Sequence, residues 1–516
     1  MDNNSVYSEI ESTRQIKRGA IMSYISIAVS IIAGLLYTPW LVRQIGQDNF
    51  GIYTLATSII SMFILDFGLS SAVSRFASKY NAEGDQESVN NVLGIAYRIY
   101  LVIDIIILIT LIIVYFNLEF IYKELTLSEL ARFRVVYIIA SIFSIFSFPF
   151  ISLNGILTSY ERFVELKMCD LLHKITSVLL IITALINGFG LYALVTANAV
   201  SGVVTILIKI IIIKRKTPVK VNIKYKNKTM VGEIFNFSAW STIVSIAQRF
   251  IFNITPSVLG ALSGTISISI FGIASSLEGY VYLIANAINS LFLPKVSRLV
   301  IKENASDNLL KLMIKVGRIQ LAIIGLILIG FITLGKEFIL LWMGEDYILS
   351  YYCAIFLILP SIVYLPQRIG NTAIVALNKV KLQAFVFIVM ASVNIVLSVV
   401  LSYFFGALGA SISICLSYFI RCAGMNIIYY KSLEINIIKY FKGCHIKLAI
   451  PLFLTLAVGI FVNYLFINQN WIIFILKGTL LVTAYLIIMW VLGFNKYEKD
   501  LIKSTLNILV KTIKSV

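Results

Sequence analysis

Ionisable side chains stand inside long apolar runs of this chain, among them Asp66, Arg98, Asp104, Asp170, Lys174, Arg249, Glu278, Arg368 and Lys477. A charge in hydrocarbon is costly, so such residues face a water-filled cavity or a partner. Arg249 lies near the middle of its run, too deep to snorkel easily. Its planar guanidinium stays charged and matches phosphate oxygens, which makes it the first phosphate candidate. The competing reading is a structural ion pair with Glu278, and both residues face the cavity under either. Asp66 and Arg98 come at comparable depth in successive runs. They read as a salt bridge, or Asp66 takes part in ion coupling, with Asp104 as a second coupling or ion-pair candidate. Arg368 near the end of its run either lines an entrance or snorkels to the headgroups. Lys477 is expected to snorkel, and Asp170 and Lys174, one helical turn apart, to pair with each other.

Other chemistry is poorly supplied. The only histidines, His173 and His445, are far apart, and the five cysteines, Cys169, Cys353, Cys415, Cys422 and Cys444, form no C-x-x-C. No metal site is drawn from that inventory, and the cysteines read as small buried hydrophobes. No cofactor is expected, while a coupling Na+ or H+ is left open.

The elements that must carry these residues follow from composition. The 516 residues are 59% hydrophobic and only 13% charged. Soluble domains carry about 25% charged residues, so the solvent here is lipid. The run Leu382 to Ile420 has no charged residue over 39 positions. One straight helix that long would reach roughly 58 Å against a hydrocarbon core of about 30 Å. It must fold back, and Phe405-Gly406 is the natural turn.

The same rule predicts fourteen spans: 19–41, 52–74, 92–116, 135–157, 168–187, 191–213, 233–259, 265–294, 316–335, 350–372, 382–404, 407–430, 447–467 and 471–492. With a cytoplasmic N-terminus, the inner segments hold 31 Lys and Arg and the outer loops 5. That asymmetry places both termini in the cytoplasm. It also explains the net charge of +18 without nucleic acid. The first run is too long for a cleaved signal and reads as an uncleaved anchor. The segment Lys214 to Lys228 has seven basic residues and no acid. It is expected to lie along an anionic leaflet.

A repeat is visible. Ser74 to Ala82 reads SRFASKYNA and Ser297 to Ala305 reads SRLVIKENA. Upstream, IYTLATSI at 52–59 matches IFGIASSL at 270–277, and Pro39 precedes Gly46 as Pro256 precedes Gly264. Helix two thus corresponds to helix eight in the same direction, a parallel repeat of six. The predicted organisation is an all-α polytopic membrane protein. A tail (1–18) precedes a first six-helix bundle (19–213), a basic linker (214–232) and a second bundle (233–430). Accessory helices thirteen and fourteen (431–492) and a tail (493–516) follow. Two pseudo-symmetric bundles would enclose a central cavity and rock about it. Pro39 and Pro256, at corresponding places, are hinge candidates.

The residues then resemble a family. Leu36 to Arg75 reads LYTPWLVRQIGQDNFGIYTLATSIISMFILDFGLSSAVSR. LNGILTSYERFVELK at 153–167, FSAWSTIVSIAQRFIFNITPSVLGALSG at 237–264 and FLPKVSR at 292–298 follow in order. Together they resemble the Wzx-type polysaccharide flippases of the multidrug/oligosaccharidyl-lipid/polysaccharide superfamily. The resemblance implies a polyprenyl-pyrophosphate-linked oligosaccharide, turned from the inner to the outer face of the cytoplasmic membrane for O-antigen, capsule or exopolysaccharide assembly. It also implies membrane lipids as surroundings and polymerase and chain-length proteins as candidate partners. Arg249, Glu278, Arg98 and Arg368 would line the cavity. Two alternatives share the fold: an ion-coupled multidrug exporter and a peptidoglycan lipid-precursor flippase. A membrane enzyme is disfavoured, for it would be expected to carry a large outer loop or a catalytic histidine.

Overall fold

The computed structural model describes residues 3–504, apart from 64–67, 291, 301–304, 378 and 467–469. The side chains of 3–21, 63, 236–238, 241, 290, 293 and 294 are likewise not described. Helices follow one another throughout: α1 (Asn3–Ile45), α2 (Gln47–Phe63), α3 (Leu69–Ala82), α4 (Gln86–Phe116), α5 (Leu118–Ile121), α6 (Leu127–Ser147), α7 (Ser152–Ser159), α8 (Phe163–Ile186), α9 (Leu191–Lys216) and α10 (Lys228–Leu262). Then come α11 (Gly264–Ser290), α12 (Leu293–Leu299), α13 (Ala305–Met343), α14 (Ile348–Ile358), α15 (Ser361–Tyr364), α16 (Arg368–Ala376), α17 (Val380–Leu433), α18 (Ile437–Phe441), α19 (Lys447–Leu465) and α20 (Trp471–Ile488). The fold is all-α, as hydropathy predicts.

Among the described residues, twelve helices are long and apolar enough to cross a bilayer, against fourteen expected spans. Two differences are local. The 54-residue α17 carries non-helical backbone at Gly406, with φ 54° and ψ −132°, a conformation that favours glycine. Beyond it the chain doubles back: Ser398 Oγ donates to Ser413 Oγ at 3.1 Å, and Ser413 Oγ reaches the Asn394 carbonyl at 3.0 Å. A Cβ on Gly409 would come within 1.9 Å of the Leu401 carbonyl oxygen, so only glycine lets the two arms meet there. The second difference is the expected span 52–74, which is divided between α2 and α3 by residues outside those described.

Helix ends are fixed by side-chain chemistry. Thr126 and Glu129 form a reciprocal capping box at the start of α6. Asp85, Asn227 and Asn470 accept backbone N–H groups at the starts of α4, α10 and α20. The paired glycines of the repeat have the same role in the backbone. Gly46 (φ 83°) separates α1 from α2, and Gly264 (φ 76°) opens α11 just after α10. Pro39 lies inside α1 and Pro256 inside α10.

The chain divides into two compact units, each described by itself. The first comprises Met1–Gly272 and Ala384–Ser413, the second Ile273–Gln383 and Ile414–Val516. In the first, α8 packs along α1 and α9, α2 against α6 and α10, and α3 against α4 and α7. Val73, Ala77, Val89, Leu93, Ile156, Leu157 and Ile213 make one of its cores. In the second, α13 is the spine against which α14, α16, α19 and α20 pack. Large apolar side chains also cover outer helix faces, such as Val102, Ile105, Ile106, Ile109 and Ile113 on α4 and Ile472, Ile475 and Ile487 on α20. Water would not tolerate such faces at this extent; lipid tails would. The protein is a multi-pass membrane protein.

Candidate functional site

The second unit gathers charge and aromatic rings in its interior. Glu278 and Tyr282 are one turn apart on α11. Tyr364 ends α15, Arg368 opens α16, and Tyr418 and Arg421 lie three residues apart on the second arm of α17. Tyr364 Oη donates to Glu278 Oε1 at 3.2 Å. Arg368 Nη2 donates to Tyr282 Oη at 3.2 Å, with its guanidinium 4.8 Å from the centre of that ring. The Arg421 guanidinium lies 4.9 Å from the Tyr364 ring centre and 5.4 Å from that of Tyr418. Those two rings are tilted at 5.0 Å. Gln367 Nε2 donates to Asn426 Oδ1 at 2.9 Å alongside.

Local sequence explains the placement. Pro360 and Pro366 break the α14–α16 stretch into short pieces, since neither can donate a backbone hydrogen bond. The break turns Tyr364 and Arg368 inward at its joint. Two guanidinium groups and one carboxylate share the cluster, and the guanidinium groups rest against ring faces. Arg368 Nη1 is buried with no hydrogen-bond partner among the described residues. A buried donor left unmade costs about 1–3 kcal/mol. An incoming phosphate oxygen would relieve that cost and accept a charge-assisted bond.

The structure thus brings Glu278 and Arg368 together through Tyr364, Tyr282 and the short helices between them. It corrects the snorkelling reading of Arg368, whose side chain is half-buried on Tyr282. Arg249 lies in the middle of α10 in the first unit, with an exposed side chain. Arg98, also in the first unit, donates to the Tyr225 carbonyl of the linker. Asp66 lies outside the described residues, so its expected partnership does too. Asp104 is buried on α4, with Oδ1 unmatched among the described residues.

Two further expectations are corrected. Lys477 does not snorkel: it is 1% exposed and donates to Glu337 Oε2 at 2.6 Å and Asn463 Oδ1 at 3.1 Å. The reason is that α20 turns this face onto α13 and α19 rather than outward. Asp170 is taken by Lys167 at 3.1 Å and Lys209 at 3.7 Å rather than by Lys174. The basic linker is fastened to α4: Asn222 N–H donates to the Asn90 carbonyl and its Nδ2 to Asn91 Oδ1. The histidines serve packing. Ser201 bridges the His173 ring and carbonyl, and His445 Nε2 meets the Ile362 carbonyl. All five cysteines are buried thiols.

Sequence reasoning missed two buried cations. Arg421 counts as a loop residue by charge tally, yet it is 6% exposed inside α17. The signal was present, because the apolar pattern continues past it to Leu433. Arg318, within the span 316–335, forms a buried pair with Glu498, its Nε 2.6 Å from Oε1.

Comparisons with known proteins agree with this architecture. The polysaccharide biosynthesis protein family matches residues 16–300. The chain is 22% identical over 390 residues to the uncharacterized membrane protein EpsK of Bacillus subtilis (strain 168), covering 72% of this chain and 74% of the relative. Among solved structures it resembles the lipid II flippase MurJ in an inward closed conformation, with a TM-score of 0.69 at 15% identity. That match covers 94% of this chain and 99% of the other. An inward-facing MATE-family multidrug resistance transporter of the MOP superfamily gives 0.61 at 15% identity, over 80% and 99%. At those identities the likeness establishes the fold, and with more than half of the chain matched, the protein belongs to the polysaccharide biosynthesis protein family, folded in the manner of the MOP superfamily.

Proposed function

We propose that the chain is a flippase that turns polyprenyl-pyrophosphate-linked oligosaccharide repeat units from the inner to the outer face of the cytoplasmic membrane. Both termini would be cytoplasmic, in keeping with the basic asymmetry of the loops. The units would feed assembly of a surface polysaccharide. The observation that carries the reading is the Arg368–Arg421–Glu278 cluster, with a buried guanidinium donor left unmatched. A pyrophosphate is a poor traveller in hydrocarbon. Arg368 would take one of its oxygens, and Arg421 would add positive potential beside it. Tyrosine faces suit the apolar faces of sugar rings, while hydroxyls and Glu278 can bond sugar hydroxyls. The prenyl chain would stay in lipid. Alternating access between the two bundles would then move the headgroup without exposing it to the core.

One observation favours a second reading. Glu278 is a buried carboxylate among aromatic rings, an arrangement that also suits an organic cation. An ion-coupled drug exporter is therefore the competitor. Gene deletion separates the two. A flippase predicts loss of surface polymer, with intact lipid-linked repeat units accumulating on the inner face. Normal surface glycan with new sensitivity to cationic drugs would overturn the proposal in favour of the exporter.

A further inference from the structure

A cavity of about 730 Å³ lies wholly within the first unit, between α4, α7, α9 and the basic linker. Its walls are apolar: Leu93, Phe150, Leu153, Ile156 and Ile210 among them. Lys214, at the end of α9, and Lys220, in the linker, also line it. The volume falls within the range of about 300–1,000 Å³ typical of small-molecule and cofactor sites.

The linker is a built wall here. From Val219 to Lys226 it alternates apolar and polar residues, VKVNIKYK. Val221 and Ile223 remain exposed while lining the cavity. Lys220 N–H donates to Asn90 Oδ1 at 2.8 Å, Asn222 N–H to the Asn90 carbonyl at 3.1 Å, and Arg98 to the Tyr225 carbonyl. Gly94 permits this approach, since a Cβ there would come within 1.8 Å of the Asn222 carbonyl oxygen. Three strands of evidence converge on one ligand. The interior is apolar and lies beside the end of a membrane-spanning helix. The mouth carries two lysines. The whole segment Lys214 to Lys228 is cationic without a single acid.

We propose that this cavity binds an anionic diacyl phospholipid, with an acyl chain among Leu153, Ile156 and Ile210 and the phosphate between Lys214 and Lys220. The bound lipid pins the linker to α4 and the end of α9. The site is separate from the Arg368 cluster and independent of what the protein carries.

Native mass spectrometry on the delipidated full-length protein tests it. The probes are phosphatidylglycerol, phosphatidylcholine with the same chains, a polyprenyl monophosphate, and inorganic phosphate. Phosphatidylglycerol is expected to bind at least tenfold more tightly than phosphatidylcholine. The double variant Lys214→Ala/Lys220→Ala should remove that preference, and Ile210→Trp should weaken both phospholipids by filling the cavity. Where Ile210→Trp fails to elute as the folded protein, Val221→Trp on the exposed linker face replaces it. Equal binding of the two phospholipids, or wild-type lipid binding by the double variant, would overturn the proposal. So would displacement by inorganic phosphate alone, which would mean an anion site without a chain pocket. Much tighter binding of the polyprenyl monophosphate would overturn it too, by assigning the cavity to the carrier lipid.

Discussion

Two sets of interior cations in the second unit are held in different ways. Lys477 and Arg318 meet carboxylates. Lys477 reaches Glu337 and Asn463, and Arg318 reaches both oxygens of Glu498, at 2.6 and 2.9 Å, and the Gly493 carbonyl at 2.6 Å. Arg368 and Arg421 each lie against tyrosine faces. A carboxylate consumes a cation's donors and cancels its charge. An aromatic face attracts a guanidinium without consuming its N–H groups. The first arrangement is complete and fastens helices. The second leaves at least one Arg368 donor to offer to a ligand.

The largest effect that this contrast predicts is on transport. Arg368→Ala should lower surface polymer production about 10–100-fold at matched expression, as expected for a lost bond to a charged group of about 1.5–3 kcal/mol. Arg368→Lys should recover only part, because an ammonium cannot present a fork. Thermal unfolding of the purified variant should change little, because removal of the unmatched buried donor offsets the lost Tyr282 contacts. Full production by Arg368→Ala would erase the distinction between the two sets.

Lys477→Met should behave in the reverse way. It strands the Glu337 carboxylate, which is 5% exposed, and should cost about 3–5 kcal/mol of stability. The double variant Lys477→Met/Glu337→Leu should return to within about 1–2 kcal/mol of the wild type. Thermal unfolding in detergent reads both, and production per folded molecule should stay unchanged. A transport defect in the stable double variant would show that Lys477 has more than a fastening role. Glu498→Gln is a milder test of the same kind. It keeps an acceptor for Arg318 while removing the charge, so a loss of about 1–3 kcal/mol is expected.

The difference between the two sets was only partly legible in the sequence. Spans are written in apolar runs, so the all-α membrane fold and the turn at Gly406 could be read directly. Partnership is not written there, because hydropathy does not fix helix rotation. Lys477 and Arg368 therefore look alike in sequence, each a lone cation in an apolar run, and snorkelling is a reading open to both. Only packing separates them: α20 turns Lys477 onto α13, and the proline-broken joint turns Arg368 onto Tyr282. Glu278 was found because an acid in a span is rare. Arg421 was missed because counting loop charges claims any cation near a helix end. The tyrosines that organise the site carry no signal by themselves among the chain's 27.

The smallest expected effect is the most direct probe of what holds Arg368. Tyr282 offers it two things, a hydroxyl at 3.2 Å and a ring centre at 4.8 Å. Tyr282→Phe removes the first and keeps the second, and should cost about 0.5–1.5 kcal/mol of stability. Transport should stay within a few fold of wild type, since the ring still steers the guanidinium. Tyr282→Leu removes the ring as well and forfeits a further contribution of about 0.5–2 kcal/mol. It should move transport toward the Arg368→Ala level, as Arg368 loses the surface that orients it. The informative measurement is the ratio of the two variants at matched expression. A Phe variant as impaired as Arg368→Ala would mean that the hydroxyl bond is the support. Arg368 would then be held by a matched partner, much as Lys477 is, and the ring would be incidental packing.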